Sequence, residues 1–140
     1  MPARVGRAVA AMLDLSDKDA IVDFIEEELT RDDLPQSEKL CPECGRNFSL
    51  LTVSTMEIDC CPHCKSLWFD EGELMTLSGY SKDVPAVDLA SRKSKLKCPA
   101  CGEHMNEYVF QLKSNLLVDK CLKNHGVYLQ SGELKRVFTK

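Results

Sequence analysis

Apolar residues in the first third of the chain recur with a helical period. Ile21, Phe24, Ile25 and Leu29 line one face, with Asp23, Glu26 and Glu27 around them, which predicts an amphipathic helix over residues 17–29. Ser16 stands where its hydroxyl can satisfy the free N–H groups of the first turn, and Asp19 where it can reach back to complete a capping box. Asp32, Asp33 and Pro35 end the helix, and 35–40 reads as a linker. Before it, Val5, Val9, Met12 and Leu13, with Ala8, Ala10 and Ala11 in support, predict a further helical stretch. Beyond residue 40 the helical period gives way to short runs rich in Leu, Val and Thr. Residues 48–58 read as a β-hairpin and 65–69 as a third strand. Trp68 and Phe69 are neighbours on that strand, so one is expected to pack on the hairpin and the other to face out. Asp70-Glu71-Gly72-Glu73 then opens a short helix carrying Leu74, Met75 and Leu77, with Gly79 as its stop.

The same order returns further on. Cys98-Pro99-Ala100-Cys101-Gly102 repeats Cys41-Pro42-Glu43-Cys44-Gly45, and Asp119-Lys120-Cys121 repeats Asp59-Cys60-Cys61. Aligned on Cys61 and Cys121, Trp68 meets Tyr128, Phe69 meets Leu129, and Gly72-Glu73-Leu74 meets Gly132-Glu133-Leu134. The second copy predicts a longer hairpin through Tyr108, Val109, Phe110 and Leu112 into Leu116, Leu117 and Val118, with Ser114-Asn115 as its turn, and a short helix over 131–138.

Cysteine spacing gives the repeat its chemistry. Cys41 and Cys44 form one C-x2-C pair and Cys61 and Cys64 another, with sixteen residues between Cys44 and Cys61. A two-residue gap lets one tight turn aim both sulfurs at one ion, and Gly45 supplies the positive φ that turns backbone N–H groups toward a thiolate. Four thiolates in a tetrahedron suit Zn2+, and two pairs carried on a hairpin make a zinc ribbon. Spacing alone does not separate zinc from iron held by the same four sulfurs. A redox dithiol stands instead at the start of a helix in a βαβ unit, and the pattern contains none. Cys60 adjoins Cys61 on extended chain and points the other way, so it is expected as a buried or half-buried thiol.

The second site is altered. Cys98, Cys101 and Cys121 persist, but Asn124 falls where Cys64 stands. Asparagine is a weak zinc ligand. His125, one residue on, has the longer reach of an imidazole and is read as the fourth donor, with His104, Asn124 or a water as the alternatives. A water-completed three-thiolate site is the sequence's one hint of an enzyme. No paired carboxylates, activated nucleophile or phosphate loop supports it, and the chain is read as non-enzymatic.

Cys-Pro-x-Cys-Gly, a β-rich spacer, a C-P-x-C knuckle, an aromatic residue and a Gly-Glu-Leu triplet together resemble the transcription-factor-type zinc-finger family, named for the zinc ribbon of the general transcription factor TFIIB. The resemblance runs closely over 41–77 and more loosely over 98–137. It implies structural zinc on Cys41, Cys44, Cys61 and Cys64, and on Cys98, Cys101 and Cys121 in the second copy. The expected fold is a small metal-stabilised α+β chain of two tandem zinc ribbons, each a short β-hairpin with a third strand and a short helix. The expected divisions are an N-terminal helical segment over 1–35, a first ribbon over 36–80, a linker over 81–95 that is basic toward its C-terminal end, and a second ribbon over 96–140.

Composition narrows the role. Eight cysteines among 140 residues, with only one Trp, three Tyr and five Phe, fit small halves that need a metal to hold them. The apolar run at 9–13 is far short of a membrane span, and no secretory pattern precedes it, so a reducing cytoplasmic setting and no membrane partner are expected. A net charge of -4 argues against avid, non-specific nucleic-acid binding. That charge is uneven: 16–40 is strongly acidic, while Arg92, Lys93, Lys95 and Lys97 make a basic run. The favoured function is therefore a protein-interaction adaptor, docking a partner or a second copy through the N-terminal helices or the ribbon faces. The alternative is a nucleic-acid-binding, transcription-associated protein that uses 92–97 together with Lys120, Lys123, Lys135 and Arg136.

Overall fold

On either side of each cysteine pair, residues alternate between two environments, and these stretches pair as antiparallel strands. The computed structural model describes residue 14 and residues 16–79, 92–110 and 116–138. The helical stretch expected through Val5 to Leu13 and the Ser114-Asn115 turn lie outside the described residues. The elements are α1 (Lys18–Glu28), β1 (Gln36–Leu40), β2 (Asn47–Val53), β3 (Met56–Cys61), β4 (Ser66–Asp70), α2 (Glu73–Ser78), β5 (Arg92–Lys97), β6 (His104–Val109), β7 (Leu117–Lys120), β8 (Gly126–Leu129) and α3 (Glu133–Phe138). The result is a small mixed α+β fold on one curled antiparallel sheet, in the order β1-β2-β3-β4-β8-β7-β6-β5.

The two halves of the repeat are thus fused edge to edge. β4 pairs with β8, and Trp68 lies opposite Tyr128, with Leu67 opposite Leu129 and Phe69 opposite Val127. Trp68 and Tyr128 are the positions that the repeat makes equivalent. A seam whose centre pairs equivalent residues has the form of a two-fold contact between identical subunits, here within one chain.

Alternation across the sheet separates two buried layers. On one face Ile21, Val22 and Ile25 of α1, Leu29 just after it, Leu74 and Leu77 of α2, and Leu134 and Val137 of α3 cover Leu51, Ile58, Cys60, Leu67, Phe69, Val127 and Leu129. On the other, Cys41, Phe48, Cys61, Trp68, Cys98, Met105, Cys121 and Tyr128 gather between the cysteine pairs. Cys60 and Cys61 therefore point to opposite layers. Burial pushes the Cys60 thiol up to about 12.

Four local readings change. The cap of α1 is Asp17, whose side chain accepts from the Ala20 amide, whereas Ser16 turns back to Asp14. Neither Trp68 nor Phe69 faces out: β4 is central, both of its faces are covered, and both side chains are fully buried. The stretch read as a linker at 35–40 contains β1, and the basic run at 92–97 is β5. In both edge strands the one buried residue is a serine, and on β5 only Leu96 adds a partly buried apolar side chain. Ser37 donates to Asp59 at 2.5 Å and Ser94 to Asp119 at 2.5 Å, so hydrophobic periodicity alone could not find them.

The short helices begin alike. Glu73 accepts from the Asp70 amide and Glu133 from the Gln130 amide, the backward-reaching half of a capping box. Burial pushes both carboxyls up to about 7.

Candidate metal centres

Each centre is built from one knuckle before a hairpin and one after it. In the first half, the Gly45 amide bonds back to the Cys41 carbonyl at 2.9 Å and the Cys41 amide to the Arg46 carbonyl at 2.7 Å. Gly45 closes this turn at φ +77, a conformation that costs other L-residues about 1 kcal/mol or more. The second knuckle follows β3, where the Lys65 amide bonds to the Cys61 carbonyl and the Cys64 amide points at the Cys61 sulfur from 3.3 Å. The four sulfurs of Cys41, Cys44, Cys61 and Cys64 lie within 4.8 Å of one another. Cys44 and Cys61 are 3.6 Å apart, and Cys41 and Cys64 4.0 Å.

The second centre repeats the first turn and alters the second. Gly102 bonds to Cys98, and the Cys98 amide to the Glu103 carbonyl, as Gly45 and Cys41 do. After β7, however, the knuckle closes one residue sooner. Asn124 takes the left-handed conformation, at φ +61, that Lys65 takes in the first half, at φ +60, and its amide bonds to the Cys121 carbonyl three residues back rather than four. Asparagine tolerates that region well. The earlier turn moves residue 124 out of the cluster and brings residue 125 in. The His125 ring Nδ1 lies 3.3 Å from the Cys121 sulfur, and Cys98, Cys101, Cys121 and His125 place their donors within 4.8 Å of one another. Asn124 instead accepts from Lys120. His104 is exposed and its Nδ1 meets the Ser94 carbonyl at 3.0 Å. Neither joins the cluster.

The donor sets fit Zn2+. A tetrahedron with Zn–S distances of about 2.3 Å has S···S edges of about 3.8 Å, close to the 3.6, 4.0 and 3.8 Å separations found in the two clusters. All eight cysteines are free thiols. The electrostatics favour a cation as well. Burial opposes ionisation of Cys44, but the Arg46 amide and the neighbouring thiols outweigh it and bring that thiol down to about 7. Burial likewise opposes Cys121, and the His125 and Lys123 amides and the adjacent thiols bring it down to about 7. Cys64 and Cys61 are pushed up, first by burial and also by their neighbours, and Cys98 is pushed up to about 12. One thiolate forms readily in each cluster, at Cys44 and at Cys121, while Cys61, Cys64 and Cys98 resist. A divalent cation reverses that resistance, because it makes every thiolate favourable at once.

Sulfur-rich four-donor clusters on knuckles that flank antiparallel strands are compatible with metal-stabilised modules of zinc-ribbon type. The model of the transcription factor zinc-finger family matches residues 40–78, and this part of the chain is a TFIIB-type zinc-ribbon domain. The match ends before the second cluster, whose Cys3His donors suggest a second zinc-binding module. Neither the curated proteins nor the solved structures gave a match. The matched family is structural rather than catalytic, and four protein donors at each cluster leave no position for a substrate or an activated water. Among the described residues no catalytic cluster assembles.

Sequence reasoning missed the groups around the first centre. Tyr128, from the other half, brings its hydroxyl to 3.7 Å from the Cys41 sulfur and donates to the Glu43 carboxylate. Ser66 lies 3.9 Å from the same sulfur. The alignment of Tyr128 with Trp68 marked the position as special, but only the β4–β8 pairing shows which centre it serves.

Proposed function

We propose that each half of the chain is one zinc ribbon, that the two clusters bind two structural Zn2+ ions, and that the protein is a non-enzymatic, transcription-associated zinc-ribbon protein of the cytoplasm that contacts nucleic acid along β5. The metal reading rests on two four-donor sets of tetrahedral size. Elemental analysis is expected to give two zincs per chain in the wild type, and one, or a readily chelated second, in His125→Ala. Two firmly held zincs in His125→Ala would remove His125 from the site.

The nucleic-acid reading rests on β5. This strand forms one edge of the sheet and reads Arg-Lys-Ser-Lys-Leu-Lys, with Ser94 inward and Arg92, Lys93, Lys95 and Lys97 exposed. Arg92 is paired with Glu107, while among the described residues Lys93, Lys95 and Lys97 form no ion pair. A few charges suffice to guard a strand edge against unwanted pairing, and the opposite edge, β1, carries only Glu38 and Lys39. Four cations in six residues exceed that need. The basic residues further on add less, since Lys120 lies over the Tyr108 ring and Lys123 pairs with Glu103.

Phosphate contacts release counterions, so affinity for a short DNA duplex or an RNA strand should fall steeply with salt. Replacing Lys93, Lys95 and Lys97 by alanine together should flatten the slope of log K against log salt by roughly 3. Binding of neither nucleic acid, or a slope unchanged in the triple variant, would reject this reading.

One observation favours a protein partner instead. An apolar groove of about 380 Å³ lies between α1, β4 and α3, with Val22, Ile25, Leu29, Leu67 and Leu134 in its lining. Binding through it would scarcely respond to salt.

A further inference from the structure

The seam that joins the two halves also exchanges supports between the two metal centres. Tyr128 belongs to β8 of the second half, yet its hydroxyl touches the first centre at two points, the Cys41 sulfur at 3.7 Å and the Glu43 carboxylate, which lies inside the Cys41–Cys44 knuckle. In return, the Glu71 amide of the first half donates to the carbonyl of His125 at 3.0 Å, and the Trp68 ring packs against Gly126, the residue after His125. The four strands at the centre of the sheet are short, and both knuckles connect directly to them. β4 starts two residues after Cys64, and β8 starts one residue after His125.

An ordered first centre fixes β3 and β4, and so the Glu71 amide that holds His125. An ordered second centre fixes β7 and β8, and so the Tyr128 hydroxyl. We propose that the two metal sites are energetically coupled through the β4–β8 seam, with Tyr128 as a positioning residue for the first site and the Glu71 amide as the matching support of the second, so that filling either site raises the affinity of the other. Such coupling is reciprocal by thermodynamic necessity. Groups that orient a metal's own ligands are worth about 10–100-fold in affinity, which sets the size of the effect to look for. The inference rests on the metal reading above, and one experiment separates the two.

The full chain, stripped of metal under reducing conditions, is titrated with Co2+ in competition with a chromophoric chelator. The cobalt bands distinguish a four-sulfur site from a three-sulfur, one-nitrogen site, so each affinity is read separately in the wild type, Cys44→Ser, Cys98→Ser and Tyr128→Phe. Fewer than two thiolate-bound cobalt ions per wild-type chain would overturn the metal reading itself. With two bound, the expected result is that in at least one ligand variant the intact site binds about tenfold more weakly than in the wild type, or not at all. Intact sites that keep wild-type affinity within about twofold in both ligand variants would overturn the coupling.

Tyr128→Phe keeps the ring in the seam and removes only the hydroxyl. It should bind two cobalt ions, with the four-sulfur site about tenfold weaker and its sulfur-to-cobalt charge-transfer band shifted. Unchanged affinity and an unchanged band would remove Tyr128 from the role.

Discussion

Cys61→Ser is expected to leave the zinc-loaded protein with at most one zinc and no folded first half at 25 °C, while Cys60→Ala keeps both zincs. Apparent binding energies of structural zinc are of order 10–16 kcal/mol, against about 5–15 kcal/mol for the whole stability of an ordinary domain. A half built on four short strands and two helices has no apolar reserve to replace such a contribution. Cys61 supplies a sulfur to the first cluster and ends β3, pairing with Ser66 of β4, so its loss frees the seam strand as well as the knuckle. Cys60, one residue away, lies in the helix-side layer opposite Leu67. Its truncation removes one buried sulfur, at a cost of about 1 kcal/mol. Zinc content per chain and the thermal transition of each variant, measured side by side, test the pair. Loss of one zinc in Cys60→Ala would mean that the strand register of β3 is wrong.

That contrast was open to sequence reasoning, because neighbours on a strand face opposite ways and only one of two adjacent cysteines can belong to a given cluster. The first donor set was readable for the same kind of reason: two C-x2-C pairs carry their geometry in their spacing. The hairpin of β2 and β3, the third strand β4 and the short helices also followed from local pattern and capping residues. The edge strands did not, since the buried residues of β1 and β5 are serines bonded to Asp59 and Asp119. Their stabilising partners lie more than twenty residues away, beyond the reach of any local window. The fusion of the two copies into one sheet was equally hidden. Alignment showed that Trp68 and Tyr128 are equivalent but not that they are neighbours, and a repeat of separate modules has the same sequence signature as a repeat paired across a seam. The spacing favoured His125 over His104 and Asn124 through the longer reach of an imidazole, but it did not show how the backbone brings residue 125 in. The choice depends on where the left-handed residue falls in the knuckle, and the structure places it at Asn124.

Gly126→Ala is expected to destabilise the zinc-saturated chain by about 3 kcal/mol, near the upper end of what overpacking costs, and to lower its melting temperature by roughly 10 °C. A Cβ at this position would stand 2.2 Å from the Phe69 carbonyl oxygen and 2.5 and 2.9 Å from two atoms of the Trp68 ring. The carbonyl is backbone in the central strand, and the indole is pinned by its bond to Asp70 at 2.8 Å, so neither yields cheaply. Gly102→Ala is the control. It adds a Cβ at φ +78 with nothing within 4 Å and should cost only about 1 kcal/mol of backbone strain. The repeat explains why a glycine is needed here. Position 126 matches Ser66, and across the seam the smaller Tyr128 ring leaves room for the Ser66 side chain, both hydroxyls lying near the Cys41 sulfur, whereas the larger Trp68 ring takes the volume that a side chain at 126 would fill. The two sides of the seam are thus the same contact solved with different sizes, Tyr against Ser and Trp against Gly. Trp68→Tyr with Gly126→Ser rebuilds the first solution on the second side. The double variant should be more stable than the sum of the single losses by about 1 kcal/mol or more, the range of interaction energies between touching residues. Strict additivity, or a Gly126→Ala chain that melts with Gly102→Ala, would show that the seam does not hold these rings as described.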